Sequence, residues 1–216
     1  MIVTDSQTSG RGRWNRAWHS PTHQGLYASI VYAGDIVAES RATLLTIGVG
    51  VAIAQILSHF ANLTIDLRWP NDLYLSGKKL GGILIENFEG FWIVGVGINV
   101  TGGSAEFPKD VSDRAITLED ILGRSIPVSE LLTAILERLR DNILPNLSSG
   151  SNTLITEWQI HSRMLGKPIH VEVQEGNQTT IIEGIAQKLS DGGELIVQGF
   201  DGKLHKLFSG EVIRVI

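Results

Sequence analysis

The sequence predicts an α+β protein, in which helices pack on a mixed sheet and a small β-barrel follows. The run LLTIGVGVAIAQIL (Leu44–Leu57) is apolar on most faces of a helix, which indicates a helix buried in a core. Segments rich in β-branched residues flank that run, and after Gly166 only short strands with turn signals remain. Because 216 residues suffice for one medium and one small domain, we expect domains at 1–164 and 165–216.

The first half of the chain is expected to supply the sheet. A short strand from Ile2 and a second strand, GLYASIVY, are joined by a loop rich in glycine and arginine. A long helix follows at Ala42–Phe60, in which Gly48 and Gly50 permit close packing. Three more sheet segments come next: TIDLRWP, which Pro70 ends, then LGGILIE and FWIVGVGINV, joined by a turn at Asn87–Gly90.

The second half is expected to begin with helices and to end in the barrel. In SIPVSELLTAILERLRDNIL, apolar residues from Val128 to Leu139 recur at the spacing of an amphipathic helix. Asn146–Asn152 is predicted to be a loop, and Leu154–Met164 a further helix. The last ~50 residues consist of short apolar segments separated by turn residues, which predicts a small β-barrel.

Composition and charge exclude several classes of protein. With 18 Lys+Arg against 23 Asp+Glu, the net charge of -5 disfavours a nucleic-acid partner. The absence of cysteine excludes disulfides, thiolate zinc sites and a thioacyl-enzyme. Leu44–Leu57 is shorter than the ~20 residues of a membrane span, and Met1 is not followed by the features of a secretory signal. We therefore expect a cytoplasmic protein with neither a nucleic-acid nor a membrane partner.

Several motifs of catalysis and ligand binding are absent from the sequence. GRGRWN is not a dinucleotide fingerprint, because Asn15 stands where the third glycine would fall, and no phosphate-binding P-loop occurs. The six histidines show no metal-ligand spacing, so we predict no metal site in the protein. The sequence contains no Gly-x-Ser-x-Gly, which argues against a serine hydrolase.

The segment Ser9–Trp18, here called the Gly/Arg loop, concentrates positive charge on an acidic protein. Its glycines free backbone N–H groups, and Arg11, Arg13 and Arg16 carry guanidinium groups. This combination suits phosphate or another polyanion. A basic surface turn is the alternative, and the loop alone does not decide between the two.

Two further segments combine glycines with polar groups. In RWPNDLYLSGKKLGG, Pro70 directs the backbone out of the sheet, and Lys79 beside a glycine pair can neutralise a phosphate or polarise a carboxylate. A solvated Lys-Lys turn is the alternative, and we prefer it for Lys78. In GVGIN, Gly95 and Gly97 clear one strand face for a flat ligand, although a tightly packed sheet crossing would use them equally well.

In this order, QTSGRGRWNRAWHSP, GLYAS, RWPNDLYLSGKKLGGILIE, VGVGINV and GEV resemble biotin protein ligases over nearly the whole chain. The resemblance implies a class II synthetase-like biotin ligase catalytic fold, followed by an SH3-like β-barrel. It also implies that Lys79 and Arg13 are catalytic. The biotin-binding residues would be Gln7, Gly10, Arg11, Trp18, Lys79, Gly82, Leu84, Gly95 and Gly97. The nucleotide-binding residues would be Arg13, Arg16, Trp69, Asn71, Asn99 and Arg214.

The resemblance further implies a two-step ligase reaction. Biotin and ATP give biotinyl-5'-adenylate and pyrophosphate, and a lysine of the biotin carboxyl carrier domain of acetyl-CoA carboxylase then takes the biotinyl group. ATP would bring Mg²⁺ with it. The Gly/Arg loop would close over biotin and the adenylate. Members of the family are monomers or homodimers, so we expect one of these states.

The sequence departs from the family pattern in three places. No Ser-Thr-Asn-type segment, which helps to bind the ureido ring of biotin, precedes the Gln-Thr element. No helix-turn-helix domain precedes the catalytic part, so a DNA-binding repressor role is not expected. Arg68 replaces a lysine that many members carry, which keeps the charge. Two alternatives stay open: a lipoate or octanoate transferase of the same superfamily, and a non-catalytic, truncated protein that binds biotin or the carrier.

Overall fold

The structure, a computed structural model, describes residues 1–33, 42–149, 153–176 and 178–216. Within them the predicted α+β class is confirmed, because helices pack on one antiparallel sheet and a second antiparallel sheet follows along the chain. The strands of the first sheet are β1 (Ile2–Thr4), β2 (Gly25–Tyr32), β3 (Asp66–Arg68), β4 (Asp72–Leu75), β5 (Lys78–Phe88) and β6 (Phe91–Asn99). Those of the second are β7 (Pro168–Glu175), β8 (Gln178–Leu189), β9 (Leu195–Gly199), β10 (Leu204–Leu207) and β11 (Glu211–Val215).

Six α-helices are described, and the sequence predicts three of them, the first, the fourth and the sixth. They are α1 (Ala42–Ala61), α2 (Lys109–Ser112), α3 (Leu118–Leu122), α4 (Val128–Arg138), α5 (Leu144–Ser149) and α6 (Thr153–His161). Sequence reasoning missed α5, which is treated below, and the short helices α2 and α3, which span little more than one turn each and so display no helical repeat. Both short helices follow β6, and α2 contributes Asp110 and Val111 to one side of the site described below.

The first sheet has the strand order β1-β2-β6-β5-β4-β3. The prediction of a mixed sheet is wrong in detail, since all five strand pairs of this sheet are antiparallel. Parallel pairing among the described residues is limited to one isolated bridge, between Lys79 and Ala115. The β5–β6 hairpin is tighter than predicted, because β5 extends to Phe88 and β6 begins at Phe91. Only Glu89 and Gly90 form the turn, with positive φ angles of 48° and 81°.

Helix α1 is the core helix that the sequence predicts. It contacts β3, β4 and β5 of the first sheet as well as helices α4 and α6. In the structure it is 20 residues long, so by length and composition alone it could cross a membrane, contrary to the shorter run considered above. Most of its apolar side chains are instead buried inside the protein, with Leu45 at 1 % and Ile47 at 0 % exposure, although Phe60 near its end is 39 % exposed.

The two glycines within α1 give a matched test of this packing. A Cβ atom on Gly48 would lie 2.5 Å from Ile143 Cγ2, whereas one on Gly50 would meet Ile83 and Leu67 at an ordinary 3.6 Å. We expect Gly48→Ala to lower the free energy of unfolding by about 1–2 kcal/mol, because overpacking exceeds the gain in helix propensity. Gly50→Ala should raise it by up to ~1 kcal/mol. Urea denaturation measures both, and equal effects of the two variants would contradict the packing described here.

Helix α4 begins at the predicted Val128, but the helical path continues further than the sequence indicates. A π-helical turn at Leu139–Ile143 leads into α5, so the predicted loop is wrong over residues 146–149. Leu147 is only 4 % exposed, and Asn146 Nδ2 donates to the Asn142 carbonyl oxygen at 2.8 Å. Burial of one apolar side chain and a local hydrogen bond therefore outweigh the turn-forming composition. Residues 150–152 of that predicted loop lie outside the described residues.

The second sheet has the strand order β10-β9-β8-β7-β11. Four strands follow one another as a meander, and β11 then returns to pair with β7, the first strand. This return curls the sheet and is consistent with the SH3-like β-barrel that the resemblance implies. The preceding helix, α6, ends at His161 rather than at Met164.

Candidate functional site

A cavity of about 1230 Å³ opens on one face of the first sheet. Its walls contain all the predicted site residues except Trp69 and Arg214. Those that line it are Gln7, Gly10, Arg11, Arg13, Arg16, Trp18, Asn71, Lys79, Gly82, Leu84, Gly95, Gly97 and Asn99. The structure therefore brings together residues from the Gly/Arg loop and from strands β5 and β6 that are far apart in the sequence.

The floor of the cavity is a patch of sheet with few side chains. Gly82 of β5 pairs directly with Gly97 of β6, and Leu84 pairs with Gly95. The indole of Trp18 lies over Gly97, so closely that a Cβ atom there would be 2.9 Å from the ring. Among the described residues, Trp18 Nε1 is one of the few buried polar side-chain atoms without a hydrogen-bond partner. A polar group bound on the floor would give this donor an acceptor.

A β-bulge turns Lys79 towards the cavity. Tyr74 of β4 pairs with Lys79 whereas Leu73 pairs with Gly81, so Leu80 is an extra residue in β5. Because neighbouring residues of a strand point to opposite faces, the extra residue places Lys79 on the same face as Gly82. Leu80 itself is fully buried in the core on the other face.

Lys79 is also held by its backbone and by an ion pair. Its N–H donates to the Arg114 carbonyl at 2.8 Å, and its carbonyl accepts from Ile116 N at 3.0 Å. The ammonium lies 2.7 Å from Asp72 Oδ1, in a pair whose side chains are 32 % and 11 % exposed. A partly buried pair of this kind keeps the lysine charge in one place, close to the bare floor.

The Gly/Arg loop folds back on itself as a narrow excursion. Trp18 N donates to the Gly10 carbonyl at 2.9 Å, and Gly12 N donates to the Arg16 carbonyl at 2.8 Å. A Cβ atom on Gly10 would lie 2.6 Å from the Trp18 carbonyl oxygen, so this close approach requires glycine. Loop formation thus puts the three arginines over the cavity mouth.

Two of these arginines lie against different elements. Arg11 Nη2 contacts both carboxylate oxygens of Glu86, on β5, at 3.2 Å. Arg13 Nη1 donates to the Gly210 carbonyl, just before β11, at 2.5 Å. Burial lowers the pKa of Arg13 from its ordinary value, while the carboxylates of Asp72 and Glu211 oppose this shift. Arg13 still carries its charge at neutral pH, since the ordinary pKa of arginine lies far above neutral.

The third arginine, Arg16, bridges two strands of the second sheet. Its Nη2 lies 2.8 Å from Glu172 Oε1 of β7, and its Nη1 contacts Glu211 Oε2 of β11. Both guanidinium groups, of Arg13 and Arg16, also lie within 5.2 Å of the Trp14 ring. The loop therefore forms a cationic, aromatic cover that is anchored on both sheets.

The two predicted asparagines line the cavity with their amide groups already engaged. Asn71 Nδ2 donates to the Ile83 carbonyl at 2.7 Å, and Asn99 Nδ2 donates to the Ile116 carbonyl at 3.1 Å. These bonds tie β5 and the segment after β6 to the site. They leave the side-chain carbonyl oxygens as the groups able to accept a hydrogen bond from a ligand.

Trp69 and Arg214 lie elsewhere, contrary to the positions that the resemblance implies. Trp69 is 1 % exposed and its Nε1 donates to the Gly193 carbonyl at 2.9 Å, so it joins the first sheet to a turn of the second. An indole in that position satisfies both the apolar core and its own N–H. Arg214 is exposed on β11, after the bulge between Val212 and Arg214.

Sequence reasoning missed several residues of the cavity wall. These are, among others, Ser29, Tyr74, Glu86, Phe107, Arg114 and Glu211. Asp72 lies within the stretch WPND that drew attention to the site, so its charge was a usable signal. Glu211 lies within GEV, the last of the motifs quoted above, whereas Phe107 comes from a segment without a motif, and only the folded chain brings the two to the cavity.

The segment that carries Phe107 is fixed by a cap of α3. Asp120 accepts hydrogen bonds from Thr117 N at 2.8 Å and from Ser104 N at 3.1 Å, and Thr117 completes a capping box. Burial raises the pKa of Asp120, but these hydrogen bonds outweigh it and hold the pKa below its ordinary value. The carboxylate form is therefore the one that stabilises the fold.

Asp120→Ala should lower the free energy of unfolding at pH 7 by about 1 kcal/mol. Because the folded-state pKa is lowered, this contribution is present above the unfolded pKa near 4 and is lost as pH falls through the folded value. Urea midpoints of the wild type and the variant should accordingly differ at pH 7 and converge in acid. A difference that stays constant with pH would contradict the capping role.

Among the described residues, no three His, Asp or Glu side chains cluster as a metal site. The carboxylate that lies closest to the floor, Asp72, is paired with Lys79. What the geometry offers is a pocket with a bare floor, an aromatic wall and several fixed cations. This arrangement can bind two anionic groups side by side and shield them from water.

Comparisons with known proteins agree on one family. The model of the biotin/lipoate A/B protein ligase family matches residues 1–102. The chain is 29 % identical over 217 residues to the bifunctional ligase/repressor BirA of Bacillus spizizenii, covering 98 % of this chain and 65 % of that protein. It is 26 % identical to the biotin--[acetyl-CoA-carboxylase] ligase of Mycobacterium tuberculosis, covering 100 % of this chain and 79 % of that protein.

Solved structures extend the similarity to the fold. The biotin protein ligase of Aquifex aeolicus in complex with biotin and ATP is 31 % identical, with a TM-score of 0.85 over 97 % of this chain and 85 % of that one. The apo structure of the Aquifex ligase gives a TM-score of 0.75 at 26 % identity, over 92 % of this chain and 90 % of that one. Since these matches span nearly the whole chain, they include both sheets.

Proposed function

We propose that this chain, which belongs to the biotin/lipoate A/B protein ligase family, is a biotin-[acetyl-CoA-carboxylase] ligase. It would activate biotin with ATP to biotinyl-5'-adenylate and then pass the biotinyl group to a carrier lysine. The chain spans 65 % of the length of the Bacillus relative, so this assignment concerns the part of that protein which it matches.

The observation that carries the proposal is the placement of Lys79 beside a floor with few side chains. Gly82 and Gly97 are paired on that floor, and the Trp18 indole covers it with an unpartnered N–H. A flat, apolar ring system with a polar edge and a carboxylate tail suits such a slot, since the tail would reach the ammonium of Lys79. Biotin has this form, which supports it as the acid that is activated.

The first step joins two anions. An oxygen of the biotin carboxylate attacks the α-phosphorus of ATP, the bond from that phosphorus to the bridging oxygen breaks, and pyrophosphate leaves. Lys79 would neutralise the charge that gathers at the α-phosphate, and Arg13 would cover the adenylate from above. Little acid-base chemistry is needed, which fits a site whose main feature is fixed positive charge.

The second step needs protection of the mixed anhydride from water. The neutral amine of the carrier lysine attacks the biotinyl carbonyl, an amide forms, AMP leaves with the bonding electrons and the amine loses a proton. Closure of the Gly/Arg loop would exclude water until the carrier arrives. The remaining nucleotide contacts would come from Arg16, Asn71 and Asn99, which line the same cavity.

Further parts of the proposal concern metal, partner, location and domains. Mg²⁺ would arrive on the phosphates of ATP, a mode that requires only one or two protein carboxylates, and Asp72 lies where it could supply one.

The partner would be the carrier domain of acetyl-CoA carboxylase, met in the cytoplasm, where ATP is supplied. No nucleic-acid or membrane partner is proposed, and the state would be monomer or homodimer. The domain division at 1–164 and 165–216 fits the end of α6 at His161 and the start of β7 at Pro168.

Mass spectrometry of a reaction mixture tests the function. The purified chain with biotin, ATP and Mg²⁺ should produce biotinyl-5'-AMP, and addition of a biotin carboxyl carrier domain should add one biotinyl group to it. Lipoate in place of biotin should give neither the corresponding lipoyl adenylate nor a lipoylated carrier domain. A chain that binds biotin without forming the adenylate would be a binding protein, and one that activates lipoate would be a lipoate ligase or transferase; either result contradicts the proposal.

A further inference from the structure

The Gly/Arg loop reaches beyond the first sheet, and the contact it makes there is unusual. Glu172 of β7 and Glu211 of β11 are register partners, directly opposite each other in the ladder. Two like charges in that position repel and destabilise a sheet. Here the guanidinium of Arg16 contacts both carboxylates, so it neutralises the pair. The edge of the second sheet therefore forms a receptor for one arginine of the loop.

The receptor is anchored at its base. The Gly210 carbonyl, next to Glu211 in the chain, accepts from Arg13 Nη1. A Cβ atom on Gly210 would lie 3.0 Å from the Glu172 carbonyl oxygen and 3.2 Å from the Trp69 ring, so this turn is packed against the strand and the core. Two arginines of the loop thus engage one fixed corner of the second sheet, and both also line the cavity.

We propose that Glu172 and Glu211 are positioning residues, which hold the Gly/Arg loop closed over the cavity through their ion pairs with Arg16. This inference deepens the proposed ligase function and rests on it for its catalytic consequence. Neither glutamate needs to touch the reacting atoms, since they act through the loop. The second sheet would then belong to the adenylation site as the fixed side against which the loop closes.

The size of the effect follows from the exposure of the contact. The side chains of Arg16, Glu172 and Glu211 are 47 %, 21 % and 30 % exposed, so solvent and salt screen the attraction. Loss of both carboxylate charges should therefore open the loop about fivefold more often rather than abolish closure. The difference in loop opening between the variant and the wild type should shrink as salt concentration rises, because salt also weakens the ion pairs of the wild type.

Trypsin tests closure without any reference to catalysis. It cleaves after arginine, so the ligand-free protein exposes Arg11, Arg13 and Arg16 to cleavage when the loop opens. The variant Glu172→Gln/Glu211→Gln should be cut within the loop about fivefold faster than the wild type at low salt. The control is Glu183→Gln, which removes one carboxylate of the same sheet that faces His170 at 3.6 Å instead of the loop. It should be cut at the wild-type rate.

Equal cleavage of the double variant and the wild type would overturn the proposal, as would equal acceleration by the Glu183 control. The urea midpoint checks folding, and the single variant Glu172→Gln replaces the double variant if the latter unfolds. Hydrogen exchange of residues 9–18 gives a second reading of loop opening that does not depend on a protease.

Steady-state kinetics provide a measurement that a purely structural role of the two glutamates would leave unchanged. In biotin-dependent exchange of pyrophosphate into ATP, the double variant should raise the KM for ATP about fivefold and leave kcat within about twofold of the wild type. An unchanged KM would contradict the positioning role. If the wild type itself shows no exchange, the ligase function fails, while the cleavage rates still decide whether the glutamates hold the loop.

Discussion

Replacement of Lys79 by alanine is expected to slow biotin-dependent adenylate formation by about 10²–10³-fold, the usual cost of removing one fixed electrostatic partner of a transition state. The bulge at Leu80 and two backbone hydrogen bonds aim this ammonium at the floor of the cavity. Its charge would meet the α-phosphate and the carboxylate at the moment when both carry the most negative charge. Exchange of labelled pyrophosphate into ATP measures the rate.

The neighbouring lysine provides the matched control. Lys78 Nζ lies 3.4 Å from the Ser112 carbonyl, and Lys78 is not part of the cavity wall. Lys78→Ala should therefore exchange pyrophosphate at a rate close to that of the wild type. Since Lys79→Ala leaves Asp72 without its partner, circular dichroism must show that the variant is folded. A folded Lys79→Ala protein that loses less than about tenfold in rate would contradict the catalytic role.

Gly97→Ala is expected to weaken biotin binding roughly ten- to a hundredfold, because the added methyl group would lie 2.9 Å from the Trp18 ring. The indole then has to leave the floor, and the wall of the slot moves with it. Isothermal titration calorimetry with biotin measures the affinity.

Gly82→Ala gives the comparison for that change. A Cβ atom on Gly82 would meet Asp72 Oδ1 at 3.6 Å, which is ordinary van der Waals contact. This variant fills part of the same floor without displacing Trp18, so its loss of affinity should be the smaller of the two. If both variants bind biotin as tightly as the wild type, the floor is not the biotin site.

The sequence predicts those parts of the fold whose signal is local and long. Helix α1 and the stripe that begins at Val128 follow from residue periodicity, and their starts agree with the structure. The extension of α4 into α5 was missed, because it depends on the burial of Leu147 in a core that no local pattern describes. The short helices α2 and α3 were not predicted for the same reason, because they are fixed by contacts such as the cap at Asp120.

The candidate site, like the fold, could be predicted from the sequence only in part. The glycine spacing of GVGIN and the stretch WPND predict a cavity-facing strand and a charged corner, and these segments meet as expected. The sequence cannot reveal that Leu80 is a bulge, since this depends on the register between β4 and β5. Nor can it pair Arg16 with Glu172 and Glu211, which lie more than a hundred residues away along the chain and reach the loop only after both sheets have formed.

Trp69 shows the limit of transferring a role along a motif. It lies within the conspicuous stretch RWPND, yet its side chain points into the core and donates to Gly193 of the second sheet. A motif fixes the path of the backbone, whereas the direction of each side chain in the turn between β3 and β4 depends on local backbone geometry and packing. Asn71, two residues further along, does face the cavity.

Exchange of labelled pyrophosphate into ATP by the wild-type chain, with biotin in one tube and lipoate in another, tests the central claim most directly. The exchange reports formation and reversal of an acyl-adenylate, so it needs no carrier protein. We expect exchange that depends on biotin and is absent with lipoate. A folded protein that exchanges with neither acid, or with lipoate alone, would contradict the claim that this cavity activates biotin.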